Sequence, residues 1–368
     1  MQIGTAESSP GELVTGWLDV TDLPTGTPER LPVLIAEGEE DGPTLWITAS
    51  IHGNEVTALA AAQDVMREEL ASKIRGTVVC LPNLNPAGLR RTTRTSYYHG
   101  DDPNRYFPDP DADGSRPPRV QELIDERVFE AFADSADALV DLHTAQVGSI
   151  PFVIRDRVLH GSAERRSADT GAATPRGTER DEDEARELAD ELERLADAYD
   201  FPVINEYTAE EYMEQNLQRS TAGAALNNAG IPAFTVELGG FEVVEENTRE
   251  KGVVGLLNVM RELDMLPGEP EPTGLDAPVD FPVKRAVHPH TETAGIVRHR
   301  VDAGDTFEGG DVIADIVTPH GEPKATVETD HDGYVVGRYH GVAAYENDPV
   351  TSLAVRDDGD LVVPRSQE

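Results

Sequence analysis

The chain has 368 residues, room for one large α/β domain and a smaller one. Its 70 acidic against 31 basic residues leave a formal net charge of −39, which opposes binding to nucleic acid or to an anionic membrane surface. No stretch is apolar over the length needed to cross a bilayer and no basic-then-apolar leader opens the chain, so the sequence predicts a soluble, cytoplasmic protein.

Lysine is scarce (Lys73, Lys251, Lys284 and Lys324), and the acidity is spread along the chain and not gathered in a tail. That distribution favours adaptation to high intracellular salt, as in a halophile, over an acidic binding tail, because carboxylates hold hydration while salt screens their repulsion. The single cysteine, Cys80, excludes an intramolecular disulfide and fits a reducing compartment. Its place inside Thr77-Val78-Val79-Cys80-Leu81 predicts a buried strand thiol, not a nucleophile.

Residues 1 to about 40 read as short strands with Pro/Gly turns. Apolar strand-like runs then fall at 44–51, 77–82, 138–143, 151–155 and 232–238. Helical patterns lie between and after them, at 56–72, 117–133, 182–199, 210–229 and 248–264. This alternation predicts a mainly parallel mixed sheet flanked by helices, with ligands expected at the carboxyl ends of its strands. Residues 156–184 are polar and highly charged and read as an exposed loop leading into an acidic helix. The Pro-rich stretch 267–282 reads as a linker between a catalytic domain, 1–266, and a β-rich accessory domain, 283–368.

After the linker, Gly295-Ile296-Val297 leading to Gly310-Asp311-Val312-Ile313 resembles Gly333-Tyr334-Val335-Val336 leading to Asn347-Asp348-Pro349-Val350. The repeat predicts a small all-β barrel-sandwich of the biotinyl/lipoyl type. Lys324 lacks the flanking pattern of a modified carrier lysine, so the segment reads as an accessory domain and not as a carrier.

His52, in His52-Gly53-Asn54-Glu55, follows one apolar run, and His143 closes another. Two histidines and a glutamate with one open position form a ligand set suited to catalytic zinc. His-x-x-Glu alone arises about once by chance in a chain this long, so its company decides. Arg90, Arg91, Arg94 and Arg105 gather in one short span, with Asn104-Arg105 in a turn-rich loop suited to gripping a carboxylate; surface ion pairing is the plain alternative. Glu237 lies inside the apolar run Phe234-Thr235-Val236-Glu237-Leu238 before Gly239-Gly240, where burial would raise its pKa as a general base requires. A structural Glu bonded to backbone amides is the alternative there.

In this order, His52-x-x-Glu55, Asn85-Pro86, Arg94, Asn104-Arg105, His143 and Glu237 resemble the succinylglutamate desuccinylase/aspartoacylase family, of the zinc carboxypeptidase fold group, over about residues 30–265. The resemblance implies one zinc held by His52, Glu55 and His143, with Glu237 as general base. It further implies Arg94 against the scissile carbonyl, and Asn104 and Arg105 on the substrate carboxylate. The appended β-domain at 283–357 also matches that family's architecture. Asp141, two residues before His143, would share its strand face and support the imidazole. The family often has Asp-Leu-Asn-Arg where this chain has Asp102-Pro103-Asn104-Arg105, so the carboxylate grip is open to reshaping.

The leading expectation is a zinc-dependent deacylase acting on an N-acyl amino acid or similar small amide. A carboxypeptidase and a non-catalytic metal-binding or interaction protein are the alternatives. The sequence leaves open the acyl group, the amine, homo-oligomerisation, and whether zinc, cobalt or manganese is the physiological ion.

Overall fold

The computed structural model describes residues 1–98, 100–109, 117–162, 179–286, 289–339 and 341–365. The middle of the loop expected at 156–184 therefore lies outside the described residues.

Twelve strands form one twisted sheet. In chain order they are β1 (Leu13–Asp22), β2 (Pro28–Glu37), β3 (Thr44–Ala49), β4 (Thr77–Leu81), β5 (Ala138–Ala145), β6 (Phe152–Arg155), β7 (Val203–Asn205), β8 (Ala233–Gly240), β9 (Val283–Ala286), β10 (Thr306–Phe307), β11 (Gly333–Arg338) and β12 (Thr351–Arg356). Their spatial order is β10-β11-β12-β9-β7-β6-β8-β5-β3-β4-β2-β1. The centre β8-β5-β3-β4 is parallel, and β6 runs antiparallel to β8, so the sheet is mixed as expected. β3 and β4 are buried along their whole length, which is why they read as unbroken apolar runs.

Helices cover the sheet: α1 (Val56–Val65), α2 (Val120–Ala133), α3 (Glu182–Ala198) and α4 (Glu246–Glu262). α3 begins with a reciprocal cap, in which Glu184 N donates to Asp181 Oδ1 at 2.9 Å and Asp181 N donates to Glu184 Oε2 at 3.1 Å. Its acidic face points to solvent while Leu188, Leu192 and Leu195 enter the core.

Several sequence expectations differ from the structure. The helix expected at 56–72 is broken into Val56–Val65 and Glu68–Ala71. The exposed loop expected at 156–184 opens with buried Asp156 and Arg157 and the strand Val158–Ser162, and closes with the strand Glu179–Arg180. The N-terminal region holds two ten-residue strands, β1 and β2, and not only short ones. The helix expected at 210–229 is broken into Ala209–Glu214, Leu217–Arg219, Thr221–Ala224 and a π-type turn at Ala225–Ala229. Asn216 adopts a left-handed φ of 54° that ends the first piece, and extended Ser220 caps the third by accepting from Gly223 N at 3.0 Å. A Cβ at Gly223 would stand 2.2 Å from Leu217 O, so the chain turns back on itself there.

Beyond the Pro-rich stretch, β9 joins the main sheet directly, pairing with β7 and β12. A separate four-stranded sheet is built from 295–299, 312–317, 323–328 and 343–344. The two related segments occupy equivalent hairpins, 295–299 with 312–317 and β11 with β12. Lys324 donates to Ala294 O at 2.6 Å. The strand 362–364 returns to pair in parallel with 158–162. Cys80 is fully buried on β4, and burial pushes its thiol well above the usual range.

Candidate active site

His52 sits just beyond the end of β3, where the chain leaves the sheet through Ser50, a non-glycine residue with φ of 55°. Gly53 packs directly on the turn Pro86–Leu89, where a Cβ would meet Gly88 C at 2.1 Å. Asn85 fastens this contact: its side chain accepts from Gly88 N at 2.8 Å and donates to Ile51 O at 3.0 Å. The Asn85-Pro86 motif thus fixes the path into His52.

His143 lies on β5, opposite Glu237 of β8 in the parallel register. Ligand atoms of His52, Glu55 and His143 all lie within 4.8 Å of one another, and all three residues are buried. His52 Nδ1 stands 2.7 Å from Glu55 Oε1 and His143 Nδ1 stands 2.9 Å from Glu55 Oε2. The Nε2 atom of each ring faces a different carboxylate, Asp102 at 3.0 Å for His52 and Asp141 at 2.7 Å for His143. Asp141 is itself held by a 2.7 Å hydrogen bond from Thr48 Oγ1. Each imidazole is therefore oriented through Nε2 so that Nδ1 is turned toward Glu55, the arrangement expected of metal-binding histidines. Burial opposes charge on Glu55, yet the two imidazoles hold its carboxyl well below the usual range. Burial likewise opposes charge on His143, and Asp141 and Glu55 raise it well above its usual range. This donor set fits a zinc-type ion: three buried ligand atoms, one anionic, converge with their orientation fixed from behind.

Asp102 went unrecognised as a functional residue in the sequence, although it stands two positions before Asn104-Arg105. Pro103 opens a short 3-10 turn, Pro103–Arg105, in which Asp102 Oδ1 accepts from Asn104 N at 2.9 Å. The proline that departs from the family pattern therefore lies in the turn that presents Asn104 and Arg105. Asn104 Oδ1 accepts from Thr221 N at 2.8 Å and Thr221 Oγ1 at 3.0 Å, leaving Nδ2 facing His143 Nε2 at 3.5 Å. Arg105 donates to Asn104 O at 2.6 Å.

The arginine cluster divides. Arg94 reaches the centre, 3.2 Å from His52 Nδ1, 3.4 Å from Glu55 Oε1 and 2.8 Å from Asp102 Oδ2. Arg90 turns away to Glu29 at 3.6 Å, and Arg91 is exposed. Glu237 Oε2 is buried without a hydrogen-bond partner, and burial raises its pKa against the pull of His143. All seven site residues expected from the sequence line one cavity of about 520 Å³.

A model of the succinylglutamate desuccinylase/aspartoacylase catalytic domain matches residues 41–263, more than half of the chain. The chain belongs to the succinylglutamate desuccinylase/aspartoacylase family. Within it, the chain is 31% identical over 144 residues to the N-alpha-acetyl-L-2,4-diaminobutyric acid deacetylase of Halomonas elongata. That alignment covers 39% of this chain and 40% of the relative, so it spans about two fifths of the relative's length. Among solved structures, the succinylglutamate desuccinylase/aspartoacylase of Rhodobacter sphaeroides superposes with a TM-score of 0.70 at 20% identity, covering 95% of this chain and 96% of the other. The product-bound ectoine utilization protein EutE (DoeB) of Ruegeria pomeroyi gives 0.70 at 19% identity, covering 96% and 100%. These superpositions establish the shared fold of the family members across both the catalytic sheet and the C-terminal β-rich region.

Proposed function

We propose that this chain is a zinc-dependent amide hydrolase that removes an acyl group from an N-acyl amino acid or a similar small carboxylate-bearing amide. The observation that carries the reading is the convergence of His52, Glu55 and His143 beside an unpaired, buried Glu237 in one cavity. His52 Nδ1, His143 Nδ1 and Glu55 would hold the ion. Zinc in such a site polarises a carbonyl and brings water toward deprotonation near neutral pH.

The remaining chemistry belongs to the side chains. Glu237, with its raised pKa and no competing hydrogen bond at Oε2, accepts a proton from the attacking water. The water oxygen bonds to the carbonyl carbon, and Arg94 stabilises the oxyanion. Glu237 then returns the proton to the nitrogen as the C–N bond breaks, releasing a carboxylate and an amine. Asn104 Nδ2 and Arg105 orient the substrate carboxylate, held in register by the Asp102–Pro103 turn and by Thr221. The acidity of the whole chain supports work in concentrated salt, and cytoplasmic residence accords with its lone reduced cysteine. Among the described residues no helix is long and apolar enough to cross a membrane.

The test measures zinc per chain and deacylation of N-acetyl, N-succinyl and N-aspartyl substrates in molar salt, beside short peptides. We expect one zinc per chain and deacylation that Glu237→Gln lowers by about 10²–10⁴-fold without loss of metal. A full-rate Glu237→Gln enzyme overturns the mechanism. Release of C-terminal residues without deacylation would instead indicate a carboxypeptidase.

A further inference from the structure

A continuous helix over 209–229 would spend each interior N–H on the carbonyl four residues back. In this chain Leu217 O accepts from Ser220 N at 2.9 Å, and Ser220 is extended with ψ of 170°, so a new helical piece starts at Thr221. The Thr221 N–H therefore opens a helix and has no partner within it. It donates instead to Asn104 Oδ1 at 2.8 Å, and Thr221 Oγ1 donates to the same oxygen at 3.0 Å. Thr221 is wholly buried and Asn104 nearly so. Leu217 and Ser220 line the cavity together with Asn104.

The broken segment also carries the loop that holds Asn104. Arg219 O accepts from Phe107 N at 3.2 Å, Arg219 Nε donates to Phe107 O at 3.1 Å, and Asn228 Nδ2 donates to Pro108 O at 2.9 Å. Residues 104–108 are thereby stitched along the break, while Asp102 holds Asn104 N from the other side. With two donors on Oδ1 the Asn104 amide has one orientation, because turning it over would set its NH2 against the Thr221 N–H. Nδ2 then faces the site as a donor. It stands 3.5 Å from His143 Nε2, but that nitrogen turns its hydrogen to Asp141 at 2.7 Å and offers no lone pair. Among the described residues this NH2 has no acceptor, so it is complementary to one that a ligand brings.

We propose that the helix break is part of the site: by freeing the Thr221 N–H it makes Thr221 a positioning residue that locks Asn104 as a hydrogen-bond donor to the substrate carboxylate. The left-handed Asn216 and the close approach of Gly223 to Leu217 O are the backbone features that keep the break in place. An irregularity of the fold thus does for Asn104 what Asp141 does for His143. The assignment rests on the deacylase reading above and adds the element that orients its carboxylate contact.

The experiment measures steady-state kinetics of the zinc-loaded, full-length enzyme on the N-acyl amino acid it cleaves best, with zinc content and melting temperature for each variant. Thr221→Val removes the hydroxyl at nearly constant shape and should raise KM about three- to tenfold with little change in kcat. Thr221→Ser keeps the hydroxyl and should recover most of that loss. Thr221→Pro removes both donors, at the first position of a helical piece after an extended residue, where proline suits the backbone. It should raise KM by about tenfold or more. In an Asn104→Ala background Thr221→Val should change KM less than about twofold, because its effect runs through Asn104. A wild-type KM in Thr221→Val, an equal loss in Thr221→Ser, or full additivity with Asn104→Ala overturns the assignment and leaves the deacylase intact. If no N-acyl amino acid is hydrolysed, the deacylase reading falls, and NMR decides the positioning role by itself. The Asn104 side-chain NH2 signals, identified by their loss in Asn104→Ala, should shift in Thr221→Val and hold in Thr221→Ser. Signals unmoved in Thr221→Val reject the role.

Discussion

Buried acids carry much of the chemistry in this chain, and their surroundings set them to different tasks. Asp102 and Asp141 each face the outer nitrogen of an imidazole, and Asp102 is held well below the usual carboxylate range by His52, Arg94 and Arg105 despite its burial. Asp125, on the buried face of α2, has the opposite environment. Its Oδ1 accepts from Gln121 Nε2 at 2.9 Å, its Oδ2 has no partner, and burial raises its pKa well above the ordinary value. The raised pKa means that the folded chain binds this proton more readily than the unfolded chain does. Its contribution is therefore most favourable below the unfolded value of about 3.9 and is lost as pH rises toward the folded pKa. Asp125→Asn keeps the shape and needs no proton. The variant should be more stable than the wild type by about 1 kcal/mol or more at pH 8, with the difference shrinking toward pH 4. Paired melting curves in molar salt read this directly, and a variant destabilised at pH 8 would contradict it.

At the scale of elements, legibility followed periodicity. β3, β4, β5 and β8 were visible because central parallel strands are continuous apolar runs, β6 because it is a short buried apolar run, and α3 because its buried stripe is regular. His143 and Glu237 were visible because they end or break such runs, and His52 and Glu55 because their His-x-x-Glu spacing follows one; the structure brings all four together. Asp102 was harder to see because its role depends on a turn, where no period marks a face. The broken helix at 209–229 was missed because its apolar pattern survives the left-handed Asn216 and the close approach at Gly223. Gly53 shows how narrowly an element junction can be specified. Its α-hydrogen faces the Gly88 backbone, which is held by the Asn85 cap and has no flexible side chain to yield. Gly53→Ala should displace the His52 loop, destabilise the fold by roughly 1–3 kcal/mol, and weaken metal retention. Melting temperature and a chelator competition check both effects; unchanged values would mean that the junction can relax.

Across the whole molecule, charge is the dominant feature that the site does not explain. The 70 acidic residues face only 31 basic ones, and several of those basic residues are committed to internal pairs such as Arg157–Asp357 and Arg285–Glu206. The exposed face of α3 alone presents Glu182, Asp183 and Glu184 in its first turn, where the helix dipole favours them but their neighbours repel. In dilute buffer the Debye length is comparable with the spacing between such surface charges, so repulsion accumulates over the folded surface. At 1 M salt it contracts to about 3 Å and the repulsion is largely screened. The unfolded chain spreads the same charges apart, so screening favours the folded state more than the unfolded one. The melting temperature should therefore rise by several degrees or more between 0.1 and 3 M KCl. A half-buried pair such as Arg285–Glu206 is screened less by salt than a surface cluster, so Arg285→Met should shift the curve with little flattening, whereas replacing Glu182, Asp183 and Glu184 by Gln should flatten it. Melts across the salt series in the three proteins measure this, and a salt-independent wild type would show that local pairing already balances the acidic surface.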